Sequence, residues 1–490
     1  MRAIFPLVLA CLCLSVPASG DEPAWRGYGG NAQHVAPAPA KGQAIAKVLW
    51  STPVDLNPGS GTIYIHYASP MITASNTLLL PVKTTRNGAF QMTAYKGANG
   101  KKVWKSTTDY VFAPHDWTPS FPAHLTAQNR LYYAGAGGTV YYRDDPDLKT
   151  GASGQIAFFG NSNYQANKSA YNSHVMIDTP ITADEAGNIY FGFVVTGSTP
   201  LDLKSGLARI AADGTGSWIS AKDAAGDKKM IEVSQNCAPA ISADQSTIYV
   251  AVSDGGGDGY LLGLNSNSLA LKFKTSLLDP VTHQNALLLD DSSASPTVGP
   301  DGDVYYGVVE SDFGQHNGRG WMLHFSADLG TSKTPGSFGW DDTVSIVPVS
   351  MVPSYTGSSP YLLMSKYNNY LGYGDGKNQI AILDPDVSQK DRFSNANVMK
   401  EIMTRLGPTP NGGGGAVYEW CINSAVVDVK SKSIIANSED GHTYRWNLAK
   451  DKLTGINLNL PITEAYTPTL IGPDGTVYAI NDAKLYALGK

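Results

Sequence analysis

His66, His115 and His174 stand four, seven and six residues ahead of Pro70, Pro122 and Pro180, and each proline opens a copy of one short element. Carboxylates hold the same offset before other copies. Asp116 lies six before Pro122, Asp290 and Asp291 six and five before Pro296, and Asp341 and Asp342 seven and six before Pro348. Glu419 lies six before Ala425 and Glu464 four before Pro468. Tyr64, Tyr67, Trp117, Trp340, Trp420 and Tyr466 are interspersed among them. Carboxylates and imidazoles ligate divalent metals, and with aromatic rings they also hold sugar-like or aromatic ligands. Three histidines from consecutive copies form one potential transition-metal set, although no fixed local spacing joins them. Polar residues are common wherever a loop enters a strand, and Asp caps such turns. This group stands apart by using His, Asp and Trp rather than Lys, Ser and Glu.

The element that carries these residues is a small residue plus proline, a short apolar run, a turn with Asp, Asn or Gly, and an apolar-Tyr strand. Ser295-Pro296-Thr297-Val298 leads through Pro300-Asp301-Gly302 to Val304-Tyr305, and Thr467-Pro468-Thr469-Leu470 through Pro473-Asp474-Gly475 to Val477-Tyr478. Eight copies have anchors at 70, 122, 180, 239, 296, 348, 425 and 468. Proline at a strand's first residue loses no needed ladder bond, and the Asp-Gly turns suit hairpins. Ala94 to Trp104 adds a further strand, a glycine turn and an outer strand ending in Trp. Repeats of about 40–60 residues, each giving four short strands, predict an all-β, eight-bladed β-propeller of antiparallel blades. The last copy stops one strand short at Leu485–Leu488. The segment Lys47–Thr52, with Trp50, supplies the missing strand, so the two chain ends share one blade and hide both sheet edges. The spacing of 77 between anchors 348 and 425 implies an insertion. Val398, Ile402, Met403 and Leu406 keep helical spacing behind Asn395, which predicts a helix from Arg392 to Leu406 within a helical insertion near 391–420.

Composition agrees with this and narrows the function. Charged residues are 16%, with 51 Gly, 26 Tyr and 29 Pro, as suits short strands and tight turns. The net charge is −6 and no long basic run occurs, which argues against a nucleic-acid partner. Arg2, the apolar run Ile4–Val16 and Ala18-Ser19-Gly20 read as a signal peptide over 1–20, leaving a single propeller over 21–490 in the periplasm or outside the cell. A lipoprotein reading at Cys11 has too little apolar sequence ahead of it. No later stretch is long and apolar enough for a transmembrane span, and a monomer is expected. Cys237 and Cys421 then remain, open to a disulfide, to buried thiols or to a reactive or metal-binding thiol. Asp254 to Gly259 and Asp375-Gly376 are calcium-loop candidates, though such runs are commoner as plain turns. Gly412–Gly415 lacks the Lys-Ser/Thr and helix of a phosphate loop, and no nucleophile elbow, zinc-protease or dinucleotide motif occurs.

The pattern Ala-x5-Gly-x3-Trp at Ala94–Trp104 resembles the tryptophan-docking repeat of pyrroloquinoline-quinone dehydrogenases and their non-enzymatic relatives. Trp25 to His34, with Gly27, Gly29 and Gly30, resembles the start of such proteins. Lys366–Tyr370, Ile380–Pro385 and Glu419–Ser424 resemble segments of secreted bacterial quinoprotein-like propellers that carry no transferable activity. The resemblance implies the fold over nearly the whole chain from 21 onward. It also implies Ca2+ or pyrroloquinoline quinone as possible cofactors. The dehydrogenases clamp their quinone between a Trp and a disulfide of adjacent cysteines, and this chain has no adjacent cysteines. Nor does it offer clear matches for the family's calcium-ligand Glu and Asn and catalytic Asp. The sequence therefore points first to a binding or scaffolding propeller. Its small-molecule or protein ligand would meet the face carrying His66, His115, Asp116, Trp117, His174, Asp341, Asp342, Lys366, Glu419 and Trp420. A metal- or quinone-dependent periplasmic oxidoreductase is the alternative.

Overall fold

Seven of the eight anchors stand one or two residues ahead of a short, buried strand that begins a sheet, whereas Pro348 ends its strand, which starts at Ser345. These strands are Met71–Ile72, Ala123–Leu125, Thr182–Ala183, Ala240–Ile241, Thr297–Val298, Ser345–Pro348, Val426–Asp428 and Leu470–Ile471. They start eight antiparallel sheets, numbered here as blades one to eight in that order. The computed structural model describes residues 24–58, 69–86, 88–115, 121–289, 294–422, 424–458 and 468–490. Within each blade, hairpins lead outward from the buried strand to exposed, alternating strands such as Lys102–Thr108 and Leu271–Ser276. The Asp-Gly turns work as the sequence requires. Gly302 adopts φ +91°, where a side chain would be strained, while Asp301 accepts the Asp303 N–H.

The chain closes on itself. Lys47–Pro53 pairs antiparallel with Lys484–Gly489, placing Trp50 opposite Ala487. The Trp50 indole N–H donates to the Gly97 carbonyl at 2.8 Å, which ties blade eight to blade one. Gly100 lies under the indole ring, where a Cβ would come within 2.7 Å.

The expected helix over 392–406 is instead a strand. Asn397–Leu406 pairs with the long strand Gln379–Lys390 of blade six. Among the described residues blade five has three strands, with residues 332–336 bridging irregularly to the third, Trp321–Phe325, through Met322–Gly336 and Phe325–Ser332. The overlong hairpin covers its flank: the Met399 N–H donates to the Pro335 carbonyl at 2.8 Å, and Val398 joins the blade-five core. An irregularity in register between Asp384 and Ser388 lets the adjacent residues Val398 and Met399 both be buried. This breaks the two-residue alternation that marks a strand and leaves a spacing that imitates a helix.

Ahead of the closing strand, residues 25–38 form a strap across the centre. Trp25 exchanges two backbone hydrogen bonds with Ile72 of blade one. Carbonyls of Arg26, Ala32, Gln33, Val35 and Ala36 accept from Leu125, Ile241, Val298, Ile346 and Val427, and the Ala38 N–H donates back to Val427. The strap thus bonds to blades one, two, four, five, six and seven. Four of these partners end their buried strands, and the strap also reaches the blade-entry loops: the Tyr28 hydroxyl hydrogen-bonds Thr343 Oγ1 at 2.8 Å, and Ser69 Oγ donates to the Gly27 carbonyl. Gly29 permits the turn: its φ is +60° and a Cβ there would lie 2.6 Å from the His34 Cα.

Candidate functional site

The blade-entry loops place polar side chains in two groups. The first lines a cleft of about 480 Å³ over blades two to five. His115 comes from the entry of blade two. Its Nδ1–H donates to the Ala113 carbonyl at 2.7 Å, which leaves Nε2 of the neutral ring as an acceptor. Asp178 lies between Val175–Ile177 and Thr182–Ala183, both on the inner edge of blade three. Its charge, after burial, helps hold the Tyr110 hydroxyl well above its ordinary pKa. Glu232 and Gln235 come from blade four, Gly255–Gly257 from its loop between second and third strands, and Leu287–Leu289 from the approach to blade five.

The second group lies on blades six and seven. Asp342 is buried, and its Oδ2 accepts from Ser365 Oγ at 2.6 Å and from the Lys366 N–H at 3.1 Å. Burial pushes its carboxyl up to about 7, against the charge of Lys366. Lys366 is itself 2% exposed. The Tyr370 hydroxyl is raised far above its ordinary value by burial, then by the charges of Glu419 and Asp341. Asp341, Asp342, Lys366 and Glu419 are thus brought into one electrostatic neighbourhood, with Trp340 edge-on to Tyr370 at 5.5 Å.

Other expected residues are placed differently. Trp420 offers no ring to the rim: it is 1% exposed and packs edge-on against Tyr444. His174 ends a short helix and packs against Gly197, where a Cβ would meet its ring at 2.4 Å. It does not line the cleft with His115. His66, Asp116 and Trp117 lie outside the described residues, as do Asp290, Asp291 and Glu464. Among the described residues no three His, Cys, Asp or Glu side chains converge as a metal site. Asp254 caps its own turn by accepting from the Gly256 and Asp258 N–H groups, and Asp375 does the same for Lys377. Sequence reading passed over Glu232 and Gln235, although they stand seven and four residues before Pro239, at the offset that selected the others.

Cys237 and Cys421 are buried thiols with no disulfide joining them, one at the entry of blade four and the other at that of blade seven. Burial pushes the Cys237 thiol up to about 11, which suppresses its thiolate. Neither thiol is expected to react with Ellman's reagent in the native protein, and both should react after unfolding, with no mass change on reduction. Fast native labelling of either would contradict this burial.

No family model matches the chain, and no curated protein matches it in sequence. Solved structures do match in shape. A europium-containing methanol dehydrogenase aligns over 93% of this chain and 89% of its own, with TM-score 0.54 and 9% identity. Quinohemoprotein alcohol dehydrogenase from Comamonas testosteroni aligns over 95% and 81%, with TM-score 0.51 and 10% identity. The fold is that of the quinoprotein propellers. Identity this low carries the quinoprotein architecture and no activity. The described residues do not fit the family's quinone clamp. The two buried cysteines sit in different blades, and no three metal-ligating side chains converge. No helix among the described residues is long and apolar enough to cross a membrane.

Proposed function

We propose that this chain is an exported, monomeric quinoprotein-fold propeller that binds a small-molecule or protein ligand on its blade-entry face. The cleft of about 480 Å³ carries the reading. Polar side chains from several blades line it, and the strap of residues 25–38 ties six of the blades together beneath these loops' strands. A rigid scaffold presenting loop side chains around a cleft suits binding. Asp342, buried beside Lys366 and raised to about 7, adds a carboxyl whose charge state a ligand can shift.

The dehydrogenase-like shape supports a second reading, a metal- or quinone-dependent oxidoreductase working at the same face. One preparation separates the two. Protein isolated from the cells that make it is subjected to native mass spectrometry, elemental analysis and absorption spectroscopy. The binding reading expects a co-purifying ligand that is lost in His115→Ala, Asp116→Ala and Glu419→Ala proteins of unchanged melting temperature. A ligand retained by all three variants would remove this face from consideration. A stoichiometric metal with a quinone absorption band would replace binding with redox chemistry.

A further inference from the structure

We infer that the cleft over blades two to five selects an organic ammonium ion that carries an apolar body and an oxygen acceptor. The inference rests on the reading that the entry-loop face binds a ligand, and it names the ligand's class.

The polar atoms of the cleft are strongly biased. Asp178 and Glu232 bring two carboxylates, and His115 presents Nε2 as an acceptor. No Lys or Arg is among the described residues that line the cleft. Carboxylates at a ligand surface favour a cationic group over a neutral or anionic one, and an ammonium group supplies charge and three donors together. One donor stands against this set. Gln235 is 7% exposed and lines the cleft, and its buried Nε2 has no hydrogen-bond partner among the described residues. A buried donor left unsatisfied is costly, so the ligand that fits brings an oxygen to it. Leu287, Leu288 and Val194 line the same space and favour an apolar body between the two polar ends. The backbone of Gly255–Gly257 forms part of the wall without projecting side chains. A bare metal ion is a poor match, because no three ligating side chains converge among the described residues.

Three probes share one phenolic body and differ only in the head: tyramine (ammonium), tyrosol (hydroxyl) and 4-hydroxyphenylacetate (carboxylate). Calorimetric titration of the full-length protein is expected to show tyramine binding at least tenfold tighter than tyrosol, with no heat from the carboxylate. Glu232→Gln should bring tyramine down to the tyrosol level and leave tyrosol unchanged. Gln235→Leu should weaken both, since the phenolic oxygen is common to them. Equal binding of tyramine and tyrosol, unmoved by Glu232→Gln, would overturn the ammonium selectivity while leaving the face a binding site. Binding of none of the three to a protein of normal melting temperature would overturn the inference. The face itself would then still be judged by whether a co-purifying ligand survives the His115, Asp116 and Glu419 changes.

Discussion

Lowering the pH from about 6.5 to about 4 is expected to cost the folded protein several kcal/mol, and His124→Leu is expected to remove the largest single part of that loss. His124 is 1% exposed, and among the described residues its ring nitrogens meet no partner of good hydrogen-bond geometry, the Ile181 backbone offsetting little of the burial. It packs against the strap, where a Cβ on Gly27 would lie 2.7 Å from its Nδ1. Burial first, then the nearby charges of Arg26 and His34, lowers its pKa from 6.5 to about 3. His34, in the strap itself, is lowered to about 4 by burial, against its bond to the Pro296 carbonyl at 2.7 Å. Both rings stay neutral in the fold under conditions that protonate them in the unfolded chain. Their contribution is therefore complete above pH 6.5 and is lost as the pH falls toward the folded values. The shifts correspond to about 5 kcal/mol for His124 and about 3 kcal/mol for His34. Asp342 has the opposite sign. Its carboxyl is held near 7, above its ordinary 3.8, so it contributes below 3.8 and loses that contribution as the pH rises through 7. Acidification therefore returns about 4 kcal/mol through Asp342, shared with its neighbours Lys366 and Asp341. Urea-unfolding midpoints across this range should fall in the wild type, fall more steeply in Asp342→Asn and flatten in His124→Leu. Three parallel curves would refute the assignment of either group.

Truncation of the N-terminal segment should have an effect of similar size. Removing residues up to 53 takes away the strap and the closing strand together. The strand Lys484–Gly489 then becomes an open edge along six paired positions. Open edges pair with other chains, so loss of soluble monomer is expected in size-exclusion chromatography. Removing residues only up to 40 keeps the closing strand. It deletes eight backbone hydrogen bonds between the strap and the blades, and the buried indole of Trp25. At about 1 kcal/mol per bond plus about 2 kcal/mol for the indole, roughly 10 kcal/mol is at stake. A soluble protein with a markedly lower melting temperature is expected, and an unchanged melting temperature would show that the strap does not hold the blades.

The eight buried strands, their turns and the closure through Trp50 were legible from the chain alone. Each depends on a local pattern: a proline at a strand start, a glycine at positive φ, an apolar alternation. The entry offset likewise located Asp341, Asp342 and Glu419, because a loop a few residues ahead of a buried strand must lie on one face of the propeller. The hairpin at 379–406 was not legible. Its burial is set by contact with residues 332–336 along the flank of blade five, a neighbouring unit that no local period records. The path of residues 25–38 also came from the tertiary structure, because its hydrogen bonds reach residues up to 391 positions away in the chain. The same holds for the choice between rim and core. Trp420 and His115 stand five and seven residues ahead of their anchors, yet one packs edge-on against Tyr444 and the other lines a cleft. Repeat and closure follow from short-range backbone and burial preferences. The side chains that face a common space depend on how eight blades, a strap and an overlong hairpin pack against one another.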